Sequence, residues 1–271
     1  MSEAIVKALL VPGLPHVLQG DAPAWRELRA GYERAGASVR AARPDALIIF
    51  STQAIAVLGH MVQAFPRPKG IRVDENWYDF GDIPFDFPVD VELSTAIAEA
   101  ANAAGLQAKL LTYDHYPIDT GTLVAQAFLN PDSTIPVSIL ACNIYAGRQD
   151  EETLGRVSAE AAARLSRRVA AVAVTGLSGG FYTTDIDPAQ DAVPPDHDQW
   201  NRRILDLLRA GQTAAVSELA PDFAEATGAD MQFKAYYWLM GAAGYPTTPA
   251  RVHAYGPIWG SGAAVVEWAL A

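Results

Sequence analysis

Five histidines, His16, His60, His115, His197 and His253, are the residues of this chain best suited to metal binding or to proton transfer. None stands in the HxH, HxxxH or HExxH spacing that places two imidazoles on one metal ion. A metal centre would therefore have to be assembled from separate strand ends. One set fits that description: His16, His60 and Asp230 as a two-histidine, one-carboxylate site. The spacing places His60 several residues beyond a strand, on a helix, so polar positions without a metal are the simpler account. Ser178 stands in Gly176-Leu177-Ser178-Gly179-Gly180, a literal match to the G-x-S-x-G nucleophile elbow. The following FYTTDIDP does not start a helix, and no aspartate-then-histidine order completes a triad, so a glycine turn explains the segment better. There is no Walker motif and no G-x-G-x-x-G after the first strand, and Gly260-Ser261-Gly262 is too short to replace one.

The carboxylates Asp74, Glu75, Asp79, Asp82, Asp86 and Asp90 are scattered over one irregular stretch, and most of them read as solvated. Trp77, Tyr78, Phe80, Phe85 and Phe87 lie among them and need a surface to bury against, either this domain or a partner chain, where aromatics are enriched. Cys142 is the only cysteine, which excludes an internal disulfide and a thiolate zinc site.

The elements that must position these residues follow from periodicity. Ile5 to Val11 is a nearly unbroken apolar run, as in a strand covered on both faces, and Pro12, Gly13 and Pro15 break it before His16. In an open α/β sheet, chemistry collects at such carboxyl ends of strands. Trp25, Leu28, Tyr32, Ala35 and Val39 are spaced 3, 4, 3 and 4 and form one helical face, with Asp21 as the expected cap and Pro23 in the first turn. Arg43-Pro44-Asp45 stops that helix. Ala46 to Phe50 is a second buried strand, parallel to the first, that runs into Ser51-Thr52-Gln53. Residues 65–90 form a long excursion of the kind used as lids or interface arms.

Beyond it the pattern predicts a helix over 89–104 closed by Gly105, and a strand over 108–113. A loop with His115, Asp119 and Gly121 leads to a helix over 122–129 and a strand over 136–141. A helix then starts at Asp150, with Leu154, Val157, Ala161 and Leu165 as its stripe. A strand over 169–174 follows, then an exposed loop over 183–197. Helices over 198–210, 212–226 and roughly 230–243 lead to a last hydrophobic stretch over 262–270, whose pattern admits strand or helix and favours strand. The expectation is one α/β domain over 1–271, with a central mixed, mostly parallel sheet flanked by helices on both faces. Half the residues are hydrophobic, which suffices for a full core. A net charge of −11, from 20 basic and 31 acidic residues, argues against nucleic acid and anionic membranes as partners. No apolar run has the length of a membrane span and no secretory leader is visible, so a soluble cytoplasmic protein is expected.

Seven segments together resemble a known family. LLVPGLPHVLQGD and RPDALIIFSTQ open the likeness, and DTGT at 119–122, ILACN at 139–143 and LSGGF after the fifth strand continue it. The W-x-x-GAA-x-YP pattern from Trp238 to Pro246 and the terminal GSGAAVVEW complete it. They are similar to the class III extradiol ring-cleavage dioxygenases of the protocatechuate 4,5-dioxygenase type, over nearly the whole chain. Within that family the likeness is to the α chain of the branch that opens 2-aminophenol rings with paired α and β chains.

The resemblance implies a site position by position. The family's first iron histidine falls on Gly13 and its second on Gln53. The catalytic acid-base histidine falls on Gly179, directly after Ser178, and the iron carboxylate falls on Asp230. His16, Ser178 and Asp119 would neighbour that vestigial pocket. Three of the four key positions thus lack an imidazole, whereas Fe(II) in such sites takes two imidazoles and one carboxylate. The implied reading is a chain with no catalytic residue, no metal and no cofactor of its own. It would be the structural partner of a homologous β subunit that carries Fe(II), in an αβ or α2β2 assembly. Two alternatives stand beside this reading. One is a metalloenzyme with a rearranged ligand set, such as His16, His60 and Asp230. The other is a regulatory protein that binds a small molecule in the old pocket.

Overall fold

The computed structural model describes residues 4–180 and 185–270. In chain order the elements are β1 (Ile5–Val11), α1 (His16–Gln19), α2 (Pro23–Ala42), β2 (Ala46–Ala56), β3 (His60–Gln63), β4 (Lys69–Arg72) and β5 (Ile83–Asp86). There follow α3 (Val91–Ala103), β6 (Ala108–Leu111), α4 (Thr120–Leu129), β7 (Val137–Asn143), α5 (Arg148–Arg164) and β8 (Val169–Val174). The chain ends with α6 (Pro195–Arg209), α7 (Thr213–Thr227), α8 (Lys234–Ala243), β9 (Arg251–Ile258) and β10 (Ser261–Ala269).

Eight strands make one sheet in the order β6-β3-β7-β2-β8-β1-β10-β9, and β4 pairs with β5 in a separate hairpin. The central four, β7, β2, β8 and β1, are parallel. β3 and β10 flank them antiparallel. The sheet is mixed and mostly parallel, with cores on both faces, as the sequence predicts. Alternation along β1 divides its side chains: Ala8 and Leu10 face the core under α3, α5, α6, α7 and α8, while Leu9 and Val11 face the core under α2 and α4. The five-residue stripe of α2 is fully covered. Leu28 and Val39 each contribute roughly 1.5–3 kcal/mol of transfer free energy, offset by the cost of ordering them. Among the described residues no helix is long and apolar enough to cross a membrane.

β1 and β2 are parallel, as the sequence predicts, with β8 inserted between them and paired with both. Several boundaries differ from the sequence reading. Asp21 does not cap α2; the cap position is Ala22, and Pro23 removes one of the amides that would need a partner. His60 opens a strand, not a helix, and β3 runs antiparallel to β7. The excursion over 65–90 contains the β4–β5 hairpin and a short helical turn at Tyr78–Phe80. The terminal strand has a partner, β9, that the sequence reading missed. The expected exposed loop over 183–197 falls partly outside the described residues, and its end is already α6.

Candidate functional site

Three parallel strands, β1, β8 and β2, deliver their carboxyl ends to one place. After β1 comes Pro12-Gly13; after β8, Thr175-Gly176. β2 carries Ser51-Thr52-Gln53, where its register against β7 shifts between Ser51 and Ile55. Asp230 reaches the same place from the turn that precedes α8, with its backbone amide donating to Leu177 O at 3.1 Å. The structure therefore brings Gly13, Gln53 and Asp230 to one group of strand ends.

Gly13 is enclosed. A Cβ on it would lie 2.7 Å from Val174 Cγ1, 2.9 Å from Gln53 Nε2 and 2.9 Å from the Cα of Gly121. Real side chains do not sit that close to backbone, so the position accepts glycine and little else without rearrangement. The Gln53 amide thus packs against the point where a side chain at position 13 would begin. Asp119 supports the same wall: it caps α4, accepts from Thr122 N at 2.9 Å and receives the Ser51 hydroxyl at 2.6 Å.

Asp230 has its own fixed partners. Its Oδ2 accepts from Thr52 Oγ1 at 2.6 Å, from Thr175 Oγ1 at 3.0 Å and from Gly176 N at 3.0 Å. Three donors on one carboxylate oxygen hold it in place and supply the positive partial charge that a cation would otherwise bring. The backbone after it is strained. Met231, Gln232 and Phe233 all have positive φ, at 44°, 57° and 62°, a left-handed run without glycine. Such residues cost on the order of 1–2 kcal/mol each.

Ser178 is turned away from this group. Its hydroxyl accepts from Asn201 Nδ2 at 2.7 Å and from Gly262 N at 3.2 Å, and Asn201 also bonds Tyr255, whose hydroxyl donates to Asp198 at 2.6 Å. It is a buried tie between the β8 turn, α6 and β10, not an elbow nucleophile. Gly179 lies beside the end of α7, where a Cβ would stand 2.8 Å from Gly228 O.

His16 is near the same strand ends but buried in an aromatic cage. Its ring meets Trp25, Trp77, Phe80 and Trp259 at centroid distances of 4.7, 5.1, 4.9 and 5.5 Å. Neither ring nitrogen has a hydrogen-bond partner. Burial pushes its pKa down to about 4, against the opposing pull of Asp191 and Asp74. The same cage answers part of the question posed by the aromatic loop: Trp77 and Phe80 cover this domain's own His16. Asp191 fastens the cage from outside, accepting from Trp25 Nε1 and from the backbone amides of Trp259 and Gly260 at 2.7–2.8 Å.

His60 sits on β3 at the far side of β7, so the set His16, His60 and Asp230 is not assembled. Among the described residues no group of three or more histidine, cysteine, aspartate or glutamate side chains converges to hold a metal ion. Sequence reasoning did not single out Thr52 or Thr175 individually, although both stand in the strand-end segments it had marked. Nothing in the sequence marks the Asn201–Ser178 tie.

Over residues 11–266 the chain matches the family model described as the catalytic LigB subunit of aromatic ring-opening dioxygenase. It is 39% identical to the 2-aminophenol 1,6-dioxygenase alpha subunit of a Pseudomonas species, over 98% of this chain and 99% of that one. It is 30% identical to the beta subunit of 2-aminophenol 1,6-dioxygenase, also from Pseudomonas, over 98% of this chain and 94% of that one. Its fold resembles that of an uncharacterized Escherichia coli K12 protein, JW3007, with a TM-score of 0.69 at 15% identity, covering 97% and 99% of the two chains.

Proposed function

The chain belongs to the LigB family of aromatic ring-opening dioxygenases, the class III extradiol enzymes, and from that premise we propose that it is a non-catalytic subunit. Its partner is a homologous β-type chain that carries Fe(II). Together they open the ring of 2-aminophenol, or of a substituted 2-aminophenol, with dioxygen. The relatives supply the pairing, being alpha and beta subunits of a 2-aminophenol 1,6-dioxygenase.

The observation that carries this reading is the packing at Gly13. Fe(II) in a facial site takes two imidazoles and one carboxylate and keeps open positions for substrate and dioxygen. Here the first position has no donor and no room for one, the second offers only an amide, and the carboxylate oxygen of Asp230 already holds three hydrogen bonds. The residues present do not fit the metal, and no step is assigned to it in this chain. The same enclosure counts against a small-molecule sensor in the old pocket, since Gln53, Val174 and Gly121 fill the space next to Gly13.

The deciding measurement is iron content and oxygen uptake on 2-aminophenol. The chain purified alone under anaerobic conditions with added Fe(II) should hold no stoichiometric iron and consume no oxygen. Activity should appear when a β-type chain is co-expressed. Near one iron per chain, with ring cleavage, would overturn the reading.

A further inference from the structure

One face of the molecule is apolar where the rest of the chain is charged. From Ser51 to Phe65, and again from Ile135 to Gly147, there is no aspartate, glutamate, lysine or arginine. Both segments surface at the end of the sheet. Ile55, Val57 and Leu58 are half or more exposed, Leu58 at 63%, and Tyr145 is 77% exposed.

The backbone makes these four one patch. Past its bulge, β2 continues beside β7, pairing Ile55 with Cys142 and Ala56 with Asn143, and Ile144 N then donates to Ala56 O at 3.0 Å. The 57–59 turn crosses the end of β7 and is pinned on the far side by His60 N donating to Gln107 O at 2.6 Å. Gly59, at φ +88°, allows that crossing, because a Cβ there would stand 2.4 Å from Gln107 O. Beneath the patch the buried Lys234 donates its ammonium protons to Ile144 O and Asn143 O, at 2.5 and 3.4 Å, and so holds the turn that presents Tyr145. Lys234 follows the left-handed run after Asp230, and β2 also carries Thr52. The disarmed site and the patch are therefore built from the same two segments.

We propose that this patch is the docking surface for the β-type chain, a partner of the same fold. The inference rests on the two-chain reading above. Three observations favour this occupant. The first is area. Ile55, Val57, Leu58 and Tyr145 together expose on the order of 500 Å². That reaches the upper range of patches on monomers and is over half of the roughly 800 Å² each partner buries in a standard interface. The second is charge. A second copy would bring another −11 against this one, whereas a different chain need not. The third is composition: the two segments that carry the patch, 51–65 and 135–147, have no cation to offer a phosphate backbone or an acidic peptide, and interface cores are depleted in charge.

The test pairs this chain with the beta subunit of the Pseudomonas enzyme by co-expression, and reads complex formation by size-exclusion chromatography with light scattering. The variant carries Val57→Asp and Leu58→Asp, and the control is Ile71→Asp on the β4–β5 hairpin, also exposed at 63%. Wild type and control should co-purify with the beta chain. The double variant should keep its thermal transition but bind at least a hundredfold more weakly. If the double variant pairs as well as wild type, the surface is wrong while the two-chain reading stands. If this chain instead forms homodimers that the double variant abolishes, the occupant is a second copy and the proposal falls. If wild type stays alone beside a folded beta chain, the two-chain reading itself fails.

Discussion

Gln53 Nε2 lies 2.9 Å from the point at which a side chain on Gly13 would begin. Two positions that the resemblance assigns to iron histidines have thus become a packed pair, a glycine and the amide that lies against it. Gly13→Ala should destabilise the chain by about 1–3 kcal/mol, the usual cost of adding a methyl group to a filled site. In Gly13→Ala/Gln53→Ala part of that loss should return, because one of the three close contacts is removed while Val174 and Gly121 remain. A double-mutant cycle in urea should give a coupling of at least about 0.5 kcal/mol. Strict additivity would mean that Gln53 does not occupy the space.

The three hydrogen bonds on Asp230 make a second prediction. Thr52→Val removes the shortest of them and leaves a half-buried carboxylate short of a donor, which should cost about 1–3 kcal/mol. Fe(II) should not restore that loss. A ligand at a hundred times its dissociation constant stabilises a fold by roughly 2.7 kcal/mol, so a metal site would show in a thermal melt. Melting of wild type and of Thr52→Val should be unchanged by anaerobic Fe(II). A clear upward shift in either would show that Asp230 still takes a metal.

Glu151, in the first turn of α5, is wholly buried with both carboxylate oxygens unpartnered. Burial pushes its pKa up to about 8, with Lys234 offsetting part of the rise and Asp150 adding to it. Below pH 4.5 the group is neutral both folded and unfolded, so it adds no pH-dependent cost. Between 4.5 and 8 the unfolded chain releases the proton and the folded chain keeps it, so stability falls as pH rises. Glu151→Gln removes this slope. Its advantage should be absent near pH 4.5 and reach on the order of 3 kcal/mol at pH 7, measured as the difference between urea midpoints at the two values.

Much of this architecture was legible because its elements are long and periodic. The Trp25 to Val39 stripe and the VAAVAV run of β8 each admit one interpretation, and both are buried as read. β3 was missed because HMVQ is four residues long, with a polar residue at each end, and gains its strand character only from β6 and β7 beside it. β9 mixes a proline and an arginine into its run, and only pairing with β10 selects the extended form. At the site, the missing imidazoles were readable as letters, but the filling of Gly13 was not. That depends on where Gln53, Val174 and Gly121 meet in space, and they come from three separate elements. The left-handed run over Met231 to Phe233 carries no glycine to announce it.

The last prediction concerns His16, whose cage joins α2, the 74–80 loop and the β9–β10 turn. Burial strips a charged imidazolium there of water, and neither nitrogen has a protein partner to replace it, so the folded state holds the ring neutral down to about pH 4. Above pH 6.5 the ring is neutral folded and unfolded. Between 6.5 and about 4 the unfolded chain takes up a proton that the folded chain refuses, so stability falls as pH falls, by about 3 kcal/mol over the whole interval. Below that the loss is complete. His16→Phe keeps an aromatic ring against Trp25 and Trp259 and cannot titrate, so the acid slope of this one group should vanish while stability at pH 7.5 changes little. In NMR spectra of wild type, one imidazole should show no titration shift between pH 7.5 and 5, and its signal should be absent from His16→Phe. An imidazole that titrates near 6.5 at this position would mean that Asp74 and Asp191 outweigh the cage.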